Sequence, residues 1–565
     1  MRDRRALARL FALLMALSLI AAACGGDDDD SSSGGGSSTT EAQGKPEPGG
    51  TLVVGAEQEL DCADWISSCA GASWGTWIFG GLTMARAHDY DPKSGDLVAS
   101  PVLAKDAQLD DADGPGMKVT YTIADDAVWS DGQPITSTDF KFTWDAVKNG
   151  TDIYDKSGYK DISAVDDSDP KVAVVTFDKD YAAWKELFGG FFGIYPSHIL
   201  QGKDHNAEMK DGYKWSGGPW MLDHWTKGQE LVLVPNPKYF GQKPYLDKVV
   251  FKFIPETAAE VEAYKSGQAA AIYPQAQLEL EPLRSAPDTE FSAGKTLSYE
   301  ALWLNTTKAP LDDVHVRKAL AYATDRKAIV DALFKPVDPD IQPIQAISTP
   351  ANVKWYSDPF KSYTRDLDKV TEEMEGGGWK KGSDGIWAKA GKKATLELNS
   401  TAGNARRQRT GEILQSQWKE AGFELKLNFT QAGTIFGEWL PQGNFFIGLY
   451  AQSPASTDPS ICGIFCSENI PTAASPSGQN YTRLNSKALD DAWHAVETTL
   501  DEGKRKQLVD EGQQAIADEV PAIPIDPLPN ILVYNTAKIH GAGGSNVVYG
   551  PFAGLNEWWC TGGAC

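Results

Sequence analysis

The sequence predicts a mixed α/β (α+β) protein built in several lobes, and three observations carry that prediction. Strand-type alternation and helix-type spacing succeed one another along the whole chain without a repeat period. The 565 residues are enough for three or four structural units at ~150 residues each. The one long apolar stretch lies at the extreme N-terminus, which excludes a polytopic membrane protein. Charge excludes a further class: 53 Lys and Arg stand against 77 Asp and Glu, a net of −24, the opposite of what a phosphate backbone attracts.

The elements follow in order. Arg2, Arg4, Arg5 and Arg9 precede an apolar run from Leu10 to Ala23, the pattern of a secretory signal peptide over 1–23. A membrane span normally needs about 20 apolar residues, more than this run has. Ala21-Ala22-Ala23 before Cys24 resembles a bacterial lipoprotein box, which implies acylation of Cys24, although Ala21 stands where that box usually has Leu. Arg4-Arg5 also admits a twin-arginine reading of the export route. From Gly25 to Gly50 there is no aromatic residue and no aliphatic larger than Ala, so the segment cannot offset its ordering entropy by burial. Residues 24–49 therefore read as a lipidated Cys and a Gly/Ser/Asp leash of about 28 Å mean span.

Thr51-Leu52-Val53-Val54-Gly55 is a short apolar strand, and Val119, Tyr121 and Ile123 alternate as a half-buried one. Trp129–Pro134 is a turn in which Gly132 supplies positive φ. Thr136-x-x-Asp139 offers a capping box to a helix bearing Phe140, Trp144 and Val147. Val316, Leu320 and Ala323 line a second helix, and Asp325 caps a third with Ile329 and Leu333. A helix with Ile413, Leu414 and Trp418 stops at Gly422, before the alternating Phe423, Leu425, Leu427 and Phe429. Leu489, Trp493, Val496 and Leu500 predict a late helix, and Pro521–Ile525 an extended piece.

Six cysteines remain beside Cys24. In an exported protein they favour disulfides, and of fifteen pairings the local one is expected: Cys62–Cys69, Cys462–Cys466 and Cys560–Cys565. A zinc reading of Cys462-x3-Cys466 lacks a His or Cys at ligand spacing, so no metal site is assigned. Gly71-Ala72-Ser73-Trp74-Gly75 matches the nucleophile-elbow pattern, but a polar approach precedes it where a buried strand is needed. Asp110, Asp111 and Asp113 fail the EF-hand count, and nothing cradles phosphate. No catalytic residue and no cofactor is assigned. Binding rests instead on 18 Trp, which join apolar area to a polar handle.

Tyr121–Val147 (YTIADDAVWSDGQPITSTDFKFTWDAV) closely resembles a segment of the family 5 extracellular solute-binding proteins, the peptide- and nickel-type receptors of ABC importers. The resemblance continues through Gly218-Pro219-Trp220, Asn236–Phe240, Lys243–Asp247, Leu311–Leu320 with Thr324-Asp325-Arg326, Arg483-Leu484-Asn485, Leu489-Asp490 and Val520–Pro524, and so spans about residues 50–540. It implies a two-lobed periplasmic-binding-protein-like fold of the large peptide-receptor type. Lobe I is expected over 50–83, 195–290 and 525–565, with an extra subdomain over 84–194, and lobe II over 291–524. It further implies a monomer that captures a small solute, most simply a peptide or peptide-like molecule, and delivers it to an ABC permease. The protein would be held by its lipid on the outer face of the cell membrane. The same resemblance places the cleft near Trp65, Trp74, Trp303, Asn305, Tyr450 and Asp458. Receptors for free-amine peptides resemble one another in a Trp-x-x-Asp-Tyr stretch whose Asp pairs with the ammonium. Ser453 stands at that Asp position here, leaving Asp458 as the nearest carboxylate. The rival readings are an exported hydrolase using Ser73 and a receptor for a sugar-like or aromatic solute.

Overall fold

The chain opens its first sheet with β1 (Thr51–Ala56), whose Leu52, Val54 and Ala56 are fully buried. The computed structural model describes residues 45–565 except 68–72, 93, 111–115, 154, 191, 295, 455, 474–477, 544–549 and 564. The signal sequence, Cys24, the leash up to residue 44 and Cys69 lie outside the described residues.

After β1 the chain builds a four-stranded antiparallel sheet from β2 (Gln108–Asp110), β3 (Lys118–Thr122), β4 (Ile162–Asp169) and β5 (Val172–Phe177), in the order β2-β3-β5-β4. Between β3 and β4 runs α1 (Ser137–Asn149), which packs on β4 and β5. Its entry explains the Trp129–Asp139 motif. Asp139 accepts the Thr136 N–H at 2.9 Å, the Trp129 indole N–H at 3.3 Å, and the Ser197 N–H and hydroxyl at 2.8 and 2.6 Å. A carboxylate that is 1% exposed with four donors is a structural pin, so this motif reports fold and not chemistry.

The chain returns to the first sheet with β6 (Trp220–Thr226), β7 (Glu230–Pro235), β8 (Lys248–Phe253), helix α2 (Thr257–Lys265), β9 (Ala271–Tyr273) and β10 (Thr289–Gly294). It then crosses to a second sheet: β11 (Tyr299–Leu304), α3 (Val314–Ala323), α4 (Arg326–Leu333), β12 (Thr395–Thr401), α5 (Ala405–Ala421), β13 (Glu424–Thr430), β14 (Ile447–Gln452), α6 (Lys487–Thr498), α7 (Glu502–Glu519) and β15 (Ala522–Pro527). Finally β16 (Asn530–Asn535) closes the first sheet, whose order is β10-β16-β9-β1-β8-β7-β6; the second is β13-β12-β14-β11-β15. β1 is parallel to both neighbours, and so is β12. Such central strands are covered on both faces, which is why β1 reads as a continuous apolar run.

Two mixed sheets thus make two lobes, and the chain passes between them around 296–298 and at 528–529. The crossings lie side by side, with the Leu528 N–H donating to the Ser298 carbonyl at 2.9 Å. β10 keeps residues to Gly294 in the first sheet, and β15 keeps residues to Pro527 in the second. Asp325 caps α4 through the Ala328 N–H at 2.9 Å, and Gly422 ends α5 at φ +95°, a conformation open to glycine without strain. Leu500 falls outside the late helix. α6 ends at Thr498, and Asp501 caps α7 through the Lys504 N–H at 2.7 Å, so two helices meet where one period was read.

Candidate functional site

The lobes meet first at the start of α5. Its cap, Asn404, accepts the Arg407 N–H at 3.0 Å and donates its amide to Gln275 Oε1 at 2.8 Å, a side-chain bond from the second lobe to the first. Arg406 and Arg407 then stand in the first turn, where the helix dipole disfavours cations. Glu300 of β11, 1% exposed, supplies what holds them: Arg407 Nε is 2.6 Å from Oε1, and Arg406 reaches both carboxylate oxygens. Burial works against the Glu300 charge, but the two guanidiniums more than offset it and hold the carboxyl well below the usual range. Asp526 of β15 is fully buried, and neither of its oxygens has a hydrogen-bond partner among the described residues. Burial and the neighbouring Glu300 push its carboxyl well up. Across the seam, burial raises Glu57 to about 7, against the opposing pull of Gln275, Trp74 and the two arginines.

The second meeting place joins the insert that carries the four-stranded sheet to the second lobe. Glu186 accepts the hydroxyls of Tyr90, Ser456 (2.7 Å) and Thr457 (3.4 Å), and the Thr457 N–H donates to Tyr90 Oη at 3.3 Å. The Ala182 N–H donates to the Glu497 carbonyl at 2.8 Å, and Lys160 pairs with Glu468 at 2.9 Å. Between these contacts lies a cavity of about 130 Å³. Asp155, Ser157 and Tyr181 of the insert line it, as do Tyr299, Ser453, Ser456, Asp458 and Glu497 of the second lobe. Burial lifts the carboxyls of Glu186 and Glu497 to about 7. Such a pocket can hold a polar or cationic group by hydrogen bonds.

The residues expected from the sequence fall in different places. Trp65 is fully buried in the first lobe between Tyr195 and Tyr213, at 5.8 and 6.5 Å. Trp74 is 1% exposed among Trp77, Phe251, Tyr273 and Phe552, and its indole N–H leans toward Glu57 without a well-formed hydrogen bond. Trp303 stacks on Tyr450 at 5.3 Å and donates to its carbonyl at 3.1 Å. Asn305 is fully buried, with its amide on the Gly443 and Phe445 carbonyls. Trp303, Tyr450 and Asn305 thus share the second lobe, and Asp458 alone of the six lines the cavity. Asp458 is already engaged: Arg505 Nη2 lies 2.5 Å from Oδ2, and the Ser460 N–H donates to Oδ1 at 2.9 Å.

Cys462 is bonded to Cys466 and Cys560 to Cys565, and Cys62 is also disulfide-bonded. No His stands at ligand spacing from Cys462 and Cys466 in the sequence, but the fold supplies one in space. α6 brings His494 within 4.8 Å of both sulfurs, although its Nε2 is held by Glu468 at 3.1 Å and the sulfurs are oxidised. Ser73 opens the short helical turn Ser73–Gly75, and no His bonds to it among the described residues.

Sequence reasoning missed Glu57, Gln275, Asn404, Arg406, Arg407, Glu300, Tyr299 and Glu497. Two signals were present. Glu300 is the lone charge in the apolar run Tyr299–Leu304, and a charge at such a position needs a buried partner. Adjacent arginines in the first turn of a helix oppose the dipole and point to tertiary pairing.

Comparison with known proteins agrees with this architecture. The model of the bacterial extracellular solute-binding proteins, family 5 middle region, matches residues 99–463, well over half of the chain. The oligopeptide-binding protein AppA of Bacillus subtilis is 25% identical over 501 residues, 85% of this chain and 87% of that protein. The oligopeptide-binding protein OppA of Mycobacterium tuberculosis is 25% identical over 441 residues, 75% of this chain and 72% of its own. Among solved structures, the periplasmic EDTA-binding protein EppA superposes with a TM-score of 0.82 at 23% identity, covering 94% of this chain and 100% of that one. AppA of Bacillus subtilis in complex with a nonapeptide gives 0.79 at 22% identity over 92% and 100%. A lobe-forming pair of mixed sheets with a family match of this extent has one assignment: the chain belongs to the bacterial extracellular solute-binding proteins of family 5, the substrate-binding components of ABC importers.

Proposed function

We propose that the protein is a membrane-tethered receptor that encloses a peptide or peptide-like solute between its lobes and hands it to an ABC importer permease. The observation that carries this reading is the cavity, because its walls come from both the insert and the second lobe. A site assembled from two bodies exists only when they close, so a solute contacting both shifts the population toward the closed state. Relatives named for oligopeptide binding support a peptide-type solute. The leash after Cys24 supports tethering through an acylated cysteine.

The size of the cavity favours a second reading alongside the first. Sites for drug-sized ligands hold about 300–1,000 Å³; 130 Å³ suits a compact solute, or the end group of a longer one. Structural neighbours in complex with Ni(L-His) and with agropinic acid make a small non-peptide solute the alternative. Mass spectrometry of the protein isolated without denaturation tests both. The proposal expects one stoichiometric solute with amide bonds; a sugar or aromatic acid selects the alternative, and turnover of a substrate that Ser73→Ala abolishes refutes the receptor.

A further inference from the structure

One segment of this acidic chain is strongly basic. Lys380, Lys381, Lys389, Lys392 and Lys393 fall within 14 residues that contain a single acid, Asp384, and no other stretch of that length holds as many cations. They sit just before β12 on three short antiparallel strands, Lys380–Lys381, Trp387–Lys389 and Lys392–Lys393, and all five are exposed. The register sets Lys389 directly opposite Lys392, a like-charge pairing that weakens a sheet. Lysines on edge strands commonly guard against pairing with another chain, but here the two outer strands are only two residues long and offer little to pair.

Two of the five charges are answered within the fold. Lys389 Nζ lies 2.9 Å from Asp313 Oδ2, and Lys393 Nζ 2.5 Å from Asp384 Oδ2. Lys381 stands over the Trp387 ring at 5.0 Å, and among the described residues neither it nor Lys380 nor Lys392 has a carboxylate at ion-pair distance. In a chain of net charge −24 carboxylates are abundant, so three open cations on one hairpin point to a partner outside the chain. The platform is also rigid. Trp379 donates its indole N–H to Asp313 Oδ2 at 3.1 Å, and Trp387, 2% exposed, donates its own to the Ala421 carbonyl at 2.9 Å, at the end of α5. Beside the hairpin opens a groove of about 680 Å³ whose walls join the apolar Pro310 and Trp379 to Lys392 and Lys393; Asp312 and the engaged Asp313 line it as well. Ligand sites hold about 300–1,000 Å³, so this one has room for a glycerophosphate, its phosphate on the lysines and its carbons on the apolar wall.

Resting on the tethered-receptor reading above, we propose that this hairpin is a docking surface for the anionic phosphate head groups of the membrane that holds the chain. The leash read from the sequence, about 28 Å in mean span, keeps the protein near that surface, so a weak contact is enough to orient it. Screening confines each charge to about 8 Å at physiological salt. The hairpin is therefore drawn to the head groups while the acidic body is held off, which favours one orientation over the rest.

Vesicle flotation tests this with the chain from residue 24 on, carrying Cys24→Ser so that no acyl group contributes. The probes are vesicles of phosphatidylcholine, vesicles of equimolar phosphatidylcholine and phosphatidylglycerol, and soluble poly-glutamate. Each lysine at an anionic leaflet strengthens binding about fivefold, and three about a hundredfold, part of which the acidic body takes back. The proposal expects retention on the anionic vesicles at least about tenfold above that on the neutral ones at ~50 mM salt, and its loss at ~500 mM. Joint Lys380→Glu, Lys381→Glu and Lys392→Glu should abolish it. A control set on other exposed lysines, Lys105→Glu, Lys118→Glu and Lys426→Glu, changes the net charge equally and should keep it. Equal retention on both vesicles, retention on neither, loss in the control set, or retention that survives the hairpin reversal overturns the docking surface and leaves the receptor reading standing. Poly-glutamate bound through the three hairpin lysines without retention on vesicles assigns the surface to an acidic protein and overturns the membrane assignment. If the reversal variant melts more than a few degrees low, Lys380→Gln, Lys381→Gln and Lys392→Gln replace it, with loss of retention again expected. Failure of the tethered reading is seen separately, as an unacylated Cys24 in the mass of the native protein.

Discussion

Replacing Glu300 by Gln isolates the charge cluster that fixes the start of α5 against the second sheet. The Glu300 and Arg406 side chains are each 2% exposed and that of Arg407 is 9%, so little solvent reaches either guanidinium once the carboxylate is gone. Asp526 makes no hydrogen bond to either guanidinium among the described residues, so it does not share the Glu300 contacts. Breaking a buried pair by removing one partner costs about 3–5 kcal/mol, against a total stability of about 5–15 kcal/mol for a domain. Urea unfolding followed by tryptophan emission, which Trp303 and Trp418 of the second lobe report, should show a loss of this size. The pH dependence carries a sign. The folded carboxyl is depressed, so its stabilisation is present above the unfolded value of about 4.3 and is lost as pH falls through the lower folded value. Wild-type protein should therefore lose stability on acidification below about 4.3 more steeply than Glu300→Gln. Joint replacement by Glu300→Met, Arg406→Met and Arg407→Leu should recover most of the loss. A Glu300→Gln variant within about 1 kcal/mol of wild type, or one with the same acid slope, would refute the reasoning.

Further expectations follow from the same contacts. The Glu186 and Glu497 carboxyls stand at about 7 in the fold against an ordinary 4.5, so their contribution is full below 4.5 and is lost as pH rises through 7. Each is worth at most about 3 kcal/mol, and thermal melts from pH 5 to 8 should show falling stability, less so in Glu186→Gln. Asn404→Ala removes a helix cap and the bond to Gln275; a loss of about 1 kcal/mol and weaker solute affinity are expected, and full affinity would show that this bond plays no part in closure. Cys24→Ser should move the protein from the membrane to the soluble fraction on cell fractionation, and membrane retention would require another anchor.

The fold was legible where local chemistry decides structure. Thr136 and Asp139 mark a helix entry, Asp325 a cap and Gly422 a stop, and all three act so because each conformation depends on a few neighbouring backbone groups. The site was much less legible, since it is made of pairs far apart in sequence: Glu300 with Arg406 and Arg407, Gln275 with Asn404, Glu186 with Ser456. Tryptophan content misled in the opposite direction. Trp65 and Trp303 carry the apolar area expected of a pocket wall, yet their rings pack on Tyr195 and Tyr450 inside the lobes. Asp458 was found by its position near a family stretch, but no local signal reveals Arg505, 47 residues on, as its partner. A lone buried charge was the better guide, because it compels a partner where an aromatic ring does not.

Small-angle X-ray scattering of the stripped protein, before and after addition of the solute identified by mass spectrometry, tests the central claim most directly. Enclosure between two lobes predicts a radius of gyration that falls on saturation and returns when the solute is removed by dialysis. A radius unchanged at saturating solute, with binding confirmed by calorimetry in the same sample, would contradict capture by lobe closure.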